Sequence, residues 1–489
     1  MKYSQNHSCS RRLYQRQSRF SITTLAVAAT LALGACSFAP KDEVPALAVP
    51  TAWKEAAPQP AGWISAAQAE AWTAGTWWAL FGDAPLNALM PQVEVGNQSL
   101  AQAAANVAQA EALLRQQRAQ LWPTVSATGS SSRAGGNDSA TTHGGSIGLT
   151  ASWAPDLWGK LSNTARAQGA AVQASEADLA AARLSAQSSL AQTYFAVREA
   201  DAEMALLQDI ITGYERNARI TQNRYDVGVA PRSDALQSQS TLENARASLI
   251  ALQRSRAQSE HAIALLLGRA PADFAVAPLP WTQAVPEVPV GVPGALLLRR
   301  PDVAAAERDV AAANARIGVA RAAYFPDITL TGGISSSGTD VLNAISAPSL
   351  MWSLGLSLTQ LIFDTGARTA AVDQAIAAHQ GVTAAYRQTA LTAMREVEDQ
   401  LTALQTLAAQ TARVQAAADA ATATEQRMMN SYQAGLSAYT DVVTAQATAL
   451  NARRSVMQLQ LQRQQAAVVL VQALGGGWQV PWTAGAAPD

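Results

Sequence analysis

The chain has 489 residues, of which 49% are hydrophobic and only 15% are charged. Its formal net charge of −1 excludes the basic surplus that a nucleic-acid partner requires. The length is enough for two or three ordinary domains or for one large extended structure. Much of the apolar fraction is alanine, which favours helices and close packing over a thick hydrophobic core.

The first 35 residues have the features of a bacterial lipoprotein signal. Four arginines precede an apolar stretch, Phe20 to Leu33, that is too short to span a bilayer. It ends in Leu-Gly-Ala before Cys36, a pattern typical of a signal whose cysteine is lipidated. We predict cleavage after residue 35, a covalent lipid on Cys36, and outer-membrane sorting because Ser37 rather than Asp follows. A plain secretory signal and an uncleaved anchor are the alternatives.

Cleavage would also change the charge and the redox chemistry of the chain. Residues 1–35 contain five cations and no acid, so their removal changes the formal charge from −1 to −6. Cys9 is lost with them, and Cys36 remains as the only cysteine. The mature chain therefore cannot form an intramolecular disulfide.

A leader and a helix are predicted next. Residues 36–75 are rich in Pro, Ala and Trp, which predicts a lipidated, extended leader. The first half of the ordered chain, residues 76–270, opens with a helical pattern from Leu86 to Leu121. Trp122-Pro123 ends this helix because proline lacks an amide hydrogen and restricts the residue before it.

The hydrophobic period then changes from 3.6 to 2, which predicts a β-hairpin. Hydroxyl residues alternate with Val125 and Ala127, and a second strand begins at Ser146 after a loop of Ser, Gly, Asn and Asp. Apolar residues of the second strand share one face: Ile147, Leu149, Ala151 and Trp153. Small polar residues occupy the opposite face, so the hairpin has one apolar and one polar side.

Two long helices follow, separated by a turn that has a twin later in the chain. The first helix is predicted from Asp156 to about Tyr225 and the second to about Leu267. Four residues of the turn, Asn223, Tyr225, Gly228 and Asp234, recur 207 residues later as Asn430, Tyr432, Gly435 and Asp441. Solenoid repeats have periods of about 20–50 residues, so this longer offset indicates two copies of one architecture.

The second half repeats the plan after a connector. Six prolines in residues 271–293 exclude a long helix there. Residues 294–474 predict a helix to Tyr324, two alternating strands, a long helix to about Tyr432, the second turn and a final helix. The Gly- and Ala-rich residues 475–489 predict a flexible tail.

Strands of this length with one apolar face are what a transmembrane β-barrel needs. The chain has only four of them, whereas a closed barrel needs about eight and lipid does not tolerate an open edge. The sequence therefore predicts a barrel shared between chains, with eight strands in a dimer or twelve in a trimer. Two soluble hairpins packed on helices are the alternative. The long helices predict a hollow tube, or alternatively a solid coiled coil.

Several motifs occur in order along the mature chain: Trp77-Trp78, Phe81-Gly82-Asp83, Asp156-Leu157-Trp158-Gly159-Lys160, Arg299-Arg300-Pro301-Asp302-Val303, Tyr324-Phe325-Pro326 and Phe363-Asp364-Thr365-Gly366. Together they resemble the signature of TolC-like outer-membrane factors. With the lipoprotein signal, the most similar group is the NodT-type lipoproteins of RND multidrug efflux systems. The resemblance implies a mainly α fold with a transmembrane β part and two internal structural repeats. It implies a trimer whose 12-stranded β-barrel, with four strands from each chain, continues into a long periplasmic α-helical barrel.

The resemblance also implies a function without an enzyme activity or a cofactor. The trimer would be a passive outer-membrane exit duct for drugs and other small molecules. A periplasmic adaptor, the membrane fusion protein, would link it to an inner-membrane RND-type pump. A duct for type I secretion or for metal efflux, and a structural coiled-coil lipoprotein, are the alternatives. The three mature histidines are far apart in the sequence, so no metal site is predicted.

The resemblance assigns the twin turns to the periplasmic end of the tube, where they form a gate. Asp441 matches the acidic constriction position, at which three copies would form a ring of like charge that attracts cations. Some relatives carry a second Asp one turn further on, where this chain has Thr444. Helix N-capping is the alternative role for Asp441 and Asp234.

A latch and a docking tip are implied as well. Asp234 matches a position that hydrogen-bonds to a tyrosine of the other turn, here Tyr432. The arginine that relatives have in this latch is replaced by Ser437, and Arg232 is a nearby candidate substitute. The tip glycines Gly228 and Gly435 match the adaptor contact.

Overall fold

The structure, a computed structural model, describes residues 38–41, 43–54, 75–137, 139–288, 299–339 and 350–482. The predicted signal, the lipidated Cys36, parts of the leader and connector, and the last seven residues lie outside this set. Within it the chain forms seven α-helices and one antiparallel sheet. No helix in these ranges is long and apolar enough to cross a membrane.

The elements follow the predicted order. They are α1 (Ala84–Gly96), α2 (Gln98–Ala119), β1 (Thr124–Gly136), β2 (Ser139–Trp153), α3 (Lys160–Asp226), α4 (Arg232–Leu266), α5 (Pro301–Ala322), β3 (Asp327–Gly338), β4 (Leu350–Thr359), α6 (Ala367–Gln433) and α7 (Tyr439–Ala473). Short 3-10 turns at Trp77–Phe81 and Pro271–Asp273 precede α1 and follow α4. Helices α3 and α6 both contain 67 residues, and α4 and α7 both contain 35.

The chain divides into two compact units. The first comprises residues 1–45, 108–173 and 307–384, and its described part contains the sheet. The second comprises residues 46–107, 174–306 and 385–489, and it contains both twin turns.

The sheet has the order β1-β2-β3-β4, and its register aligns the apolar residues on one face. Leu149 pairs with Ile334, which in turn pairs with Trp352. In β4 the apolar face is open, with Trp352 and Leu354 80% and 79% exposed. The opposite face carries small residues such as Ser and Thr. This division between faces agrees with the sequence pattern.

The first hairpin is longer than the sequence pattern predicts. The residues assigned to a Ser- and Gly-rich loop are paired strand: Ser132 lies opposite Gly144, and Arg133 opposite His143. Serine hydroxyls add cross-strand bonds, since Ser130 and Ser146 are 2.8 Å apart. Small residues carry no apolar alternation, although their backbones pair as well as any others.

Residues 38–41 of the leader pack on the first unit. Arg321 donates to the Phe38 carbonyl at 3.2 Å, and Asn314 donates to the Pro40 carbonyl at 3.0 Å. The Phe38 ring stacks on Phe325 with centroids 4.4 Å apart. A Cβ on Gly318 would lie 2.8 Å from the Ala39 Cβ, so only glycine allows this approach.

The single helix predicted from Leu86 to Leu121 is two helices that meet at Asn97. Asn97 has an extended backbone, and its side-chain oxygen accepts from the amides of Ser99 and Leu100 at 2.9 and 3.2 Å. Its amide nitrogen donates to the Leu266 carbonyl at 3.0 Å. The break therefore provides a cap for α2 and a contact with the end of α4.

The motif that opens the ordered chain forms the core of the second unit. Trp77 and Phe81 are fully buried, and Phe81 packs on Phe195 at 5.1 Å. Asp83 caps α1 and accepts a hydrogen bond from the Tyr194 hydroxyl at 2.7 Å. The Trp77 indole nitrogen donates to the Gln187 side chain at 3.4 Å, so the buried ring has a polar partner as well.

The start of the predicted flexible tail is packed, which corrects the boundary at residue 475. Gly475 lies against the Arg299 carbonyl, where a Cβ would come within 2.0 Å. Trp478, Val480 and Trp482 pack against the buried alanines 177, 304 and 305. These apolar side chains bury enough surface to hold the segment in place, although its Gly-rich composition predicts a flexible tail. Residues 483–489 lie outside the described set.

Candidate gate at the helical hairpin turns

The twin turns have the same backbone geometry. The first hairpin consists of α3 and α4, and the second of α6 and α7. At the first turn the amide of Gly228 donates to the Tyr225 carbonyl, and that of Val229 to the Arg224 carbonyl, both at 2.8 Å. Gly435 and Leu436 make the same two bonds in the second turn, at 2.9 Å. These are Schellman motifs, and φ of +77° and +79° at the two glycines explains the residue type.

The structure places both candidate acids at equivalent positions. Asp234 and Asp441 are each the third residue of a helix. Pro231 and Ala438 are the N-cap residues, and neither makes a side-chain capping bond. N-capping is therefore not the role of either aspartate, although a carboxylate in the first turn interacts favourably with the helix dipole.

The hairpins meet at Tyr432, which is only 4% exposed. Its hydroxyl donates to the Asp234 carboxylate at 3.1 Å, across 198 residues of sequence. Burial, followed by the bond to Asp234, raises the pKa of Tyr432 to about 12. The phenol therefore stays protonated, and remains a donor, throughout the physiological pH range.

A third residue, not predicted from the sequence, completes this contact. The Arg224 guanidinium lies 4.9 Å from the centroid of the Tyr432 ring, and its Nη1 donates to the Gln433 carbonyl at 3.0 Å. Arg232 is exposed, and its side chain makes no hydrogen bond or ion pair among the described residues. A comparison of the two turns position by position would have offered one signal, because the twin of Arg224 is Ser431.

Aromatic packing within the second hairpin supports the contact of Tyr432 with Asp234 and Arg224. The rings of Tyr432 and Tyr439 meet edge to face at 5.0 Å, and Val442 completes the cluster. On the first hairpin, the hydroxyls of Thr221 and Ser238 are 2.6 Å apart. Burial raises the pKa of Tyr439 to about 12. The sequence pattern shows the apolar positions here but not their pairing across hairpins.

Asp441 lies on the lip of a separate groove. A cavity of about 380 Å³ between α6 and α7 is lined by Ala421, Thr424, Met428, Asp441, Thr444, Ala445 and Thr448. The Thr444 hydroxyl donates to the Thr440 carbonyl at 2.9 Å, so it is satisfied within its own helix. Asp441 is exposed, and the groove therefore presents one carboxylate beside methyl and thioether groups.

The tips of both turns expose apolar side chains. Val227, Val229 and Leu436 are 74%, 65% and 81% exposed, beside Gly228 and Gly435. Exposed aliphatic groups next to glycine provide a small contact surface with an accessible backbone. No group of three or more His, Cys, Asp or Glu that could hold a metal ion occurs in the part of the chain that the structure describes.

Comparison with known proteins identifies the family. The family model described as outer membrane efflux protein matches residues 89–269 and 292–476. The cation efflux system protein CusC of Escherichia coli is 32% identical over 458 residues, which cover 92% of this chain and 97% of CusC. Outer membrane protein OprJ of Pseudomonas aeruginosa is also 32% identical, over 95% of this chain and 97% of OprJ.

A solved structure of CusC, studied for its folding and transmembrane channel formation, superposes with a TM-score of 0.80. The two sequences are 30% identical over 90% of this chain and 100% of that chain. The fold of this chain is therefore shared with that channel protein over nine-tenths of the chain. The chain belongs to the outer membrane efflux protein family and is an outer-membrane component of an efflux system.

Proposed function

We propose that three copies of the chain form one transmembrane channel, with four strands of each copy in a common 12-stranded barrel. The observation that carries this proposal is the open apolar face of the sheet, together with its two edges. Among the described strands, β1 and β4 each have a neighbour on one side only. An unpaired edge is costly in lipid, and pairing β4 of one copy with β1 of the next removes every edge.

In this proposal the channel is the passive exit duct of a tripartite pump. A periplasmic adaptor binds the tips at Gly228 and Gly435, and an inner-membrane RND-type pump supplies the energy. A lipid on Cys36 anchors each copy in the outer membrane. The packed leader supports this anchor, because it fixes residue 38, two residues after the cysteine. Drugs and other small molecules are the proposed cargo.

The twin turns act as the gate of the duct. Three copies of Asp441 and Thr444 line the constriction, while the Asp234–Tyr432 bond holds the two hairpins together. Like charges on a common axis attract cations, so multivalent cations should block the closed channel. A duct for metal efflux or type I secretion remains the alternative, and the export phenotype of a deletion strain distinguishes the cargoes.

Conductance in planar bilayers tests the channel and its gate together. The wild-type trimer, identified by a heat-sensitive band in SDS gels, should give pores with low conductance and cation block. Asp441→Ala should weaken the block, and Asp234→Ala should raise the conductance severalfold because it releases Tyr432.

Asp226→Ala is the matched control, because Asp226 is exposed near the first tip and its side chain, among the residues that the structure describes, bonds only to Gln222 of its own helix. It should leave conductance and block unchanged. Absence of pores in every variant would overturn the channel. Unchanged cation block in Asp441→Ala, together with unchanged conductance in Asp234→Ala, would overturn the gate.

A further inference from the structure

We infer that Arg224 is the cation that couples the two hairpins, and that the first hairpin grips Tyr432 from two sides through it. We call this arrangement the Tyr432 clamp, and it consists of Arg224, Asp234 and Tyr432. The coupling stands on the contacts alone. Its consequence for conductance rests on the gate proposed above.

The contacts of the clamp all run from the first hairpin to two consecutive residues of the second. Arg224 covers the face of the Tyr432 ring at 4.9 Å, while Asp234 accepts from its hydroxyl at 3.1 Å. The Arg224 guanidinium also donates to the Gln433 carbonyl at 3.0 Å. Separation of the hairpins must therefore break a cation–π contact and two hydrogen bonds together.

The environment strengthens each contact. Tyr432 is almost fully buried and Arg224 is half-buried, and a partly desolvated cation interacts more strongly with an aromatic face than an exposed one. Gln433 is the last residue of α6, where carbonyl groups lack helical partners and the helix dipole is negative. Arg224 thus satisfies a carbonyl group at the end of α6.

Neither alternative cation position can replace it. Ser437 has a buried hydroxyl without a hydrogen-bond partner among the described residues, so the second turn supplies no charge to the contact. Arg232 lies exposed outside the clamp. The arrangement is also one-directional, because Tyr225, the twin of Tyr432, is 39% exposed and the twin of Arg224 is a serine.

Hydrogen exchange measured by mass spectrometry on the purified full-length protein tests the coupling without relying on transport. Arg224→Gln removes the charge and should accelerate exchange of amides in residues 430–437 by a factor of roughly five, as expected for losing an interaction of about 1 kcal/mol. Arg224→Lys keeps the charge and should retain most of the protection. Arg232→Gln is the matched control and should leave the exchange unchanged.

The same substitution in a Tyr432→Leu protein distinguishes coupling through the ring from general destabilisation. In Tyr432→Leu the ring is absent and only the bond from Arg224 to the Gln433 carbonyl remains, so Arg224→Gln should add clearly less acceleration than it does in wild type. Exchange that is unchanged in Arg224→Gln, or accelerated equally by Arg232→Gln, would overturn the inference. Full additivity of Arg224→Gln and Tyr432→Leu would overturn it as well.

Conductance of the same variants distinguishes this inference from the gate. Arg224→Gln should raise conductance if the clamp holds the gate closed. Faster exchange without higher conductance would leave the coupling in place and overturn the proposed gate. Unchanged exchange would overturn the role of Arg224 whatever the conductance.

Discussion

Glu199 is a buried carboxyl group that lies outside the gate. It is 7% exposed on α3, and one of its oxygens is buried without a hydrogen-bond partner among the described residues. Glu203, one turn further along, forms an ion pair with Arg454. Burial, and then the charge of Glu203, raise the pKa of Glu199 to about 7, and Arg454 opposes this shift only in part. An ionised Glu199 therefore costs folding free energy.

The pH dependence of stability follows from this shift. Because the folded chain holds the proton more tightly than the unfolded chain, stability falls as the pH rises from about 4.5 to 7. Glu199→Gln should remove this loss, which is on the order of 3 kcal/mol at pH 8. We expect the variant to melt at a higher temperature than wild type at pH 8 and at the same temperature at pH 4.5.

Glu243→Gln serves as the control, since Glu243 is exposed and paired with Arg246. Its melting temperature should track that of wild type at every pH. If the melting temperature of Glu199→Gln depended on pH as that of wild type does, ionisation of Glu199 would not be the cause of the stability loss.

At the scale of elements, the ends of α1 and α4 touch backbone to backbone. A Cβ on Gly96 would lie 2.0 Å from the Leu267 carbonyl oxygen, and one on Gly268 would lie 1.9 Å from the Gly96 oxygen. Gly268 also has φ of +67°, a conformation that L side chains rarely adopt. This contact, together with the bond from Asn97 to the Leu266 carbonyl, fixes the helix break.

Gly268→Ala should therefore destabilise the protein by at least about 2 kcal/mol, through the combined steric overlap and strained φ. Gly213→Ala is the matched control, because Gly213 lies inside α3 with open space around it. It should stabilise by up to about 1 kcal/mol, the helix propensity of alanine over glycine. Thermal unfolding in detergent measures both, and equal effects would contradict the close contact.

Arg300 joins α5, α6 and α7 at the C-terminal end of α7, which is the end of that helix away from the second turn. It pairs with Asp302 at 2.6 Å and with Glu396 at 2.7 Å, and it donates to the Ala473 carbonyl at 3.1 Å. The Arg-Arg-Pro-Asp motif is thus a structural junction of α5, α6 and α7. Arg300 has protein partners for its charge and does not line the groove at Asp441.

At the scale of the whole molecule, the two faces of the sheet determine which side of it can contact lipid and which side can contact water. Leu354 and Ser353 are neighbours in β4 whose side chains lie on opposite faces. Leu354→Lys should weaken the folded channel by about 2–4 kcal/mol if its face contacts the bilayer core, as a charge near the midplane does in other barrels. The heat-sensitive oligomer band in SDS gels should disappear at lower temperature.

Ser353→Lys adds the same charge to the small polar face. It should leave the oligomer band unchanged and alter the ion selectivity of the pore. Equal loss of the oligomer in both variants would show that Leu354 does not contact lipid.

The sequence by itself determined the elements whose physics is local. Period 3.6 and prolines located the long helices to within a few residues, and period 2 located both hairpins and their apolar face. The 207-residue offset predicted two similar helix pairs, and the long helix before each turn has 67 residues in the structure. The offset could be read from the sequence because each copy carries its own turn glycine.

Only the tertiary structure decided contacts between segments far apart in the chain. The break at Asn97 depends on the end of α4, and the packed residues 475–482 depend on buried alanines about 170 to 300 positions earlier. Arg224 lies in an ordinary last helical turn, where a cation is expected in any helix. Its position over Tyr432 arises because two hairpins pack together, and no local pattern encodes that distance.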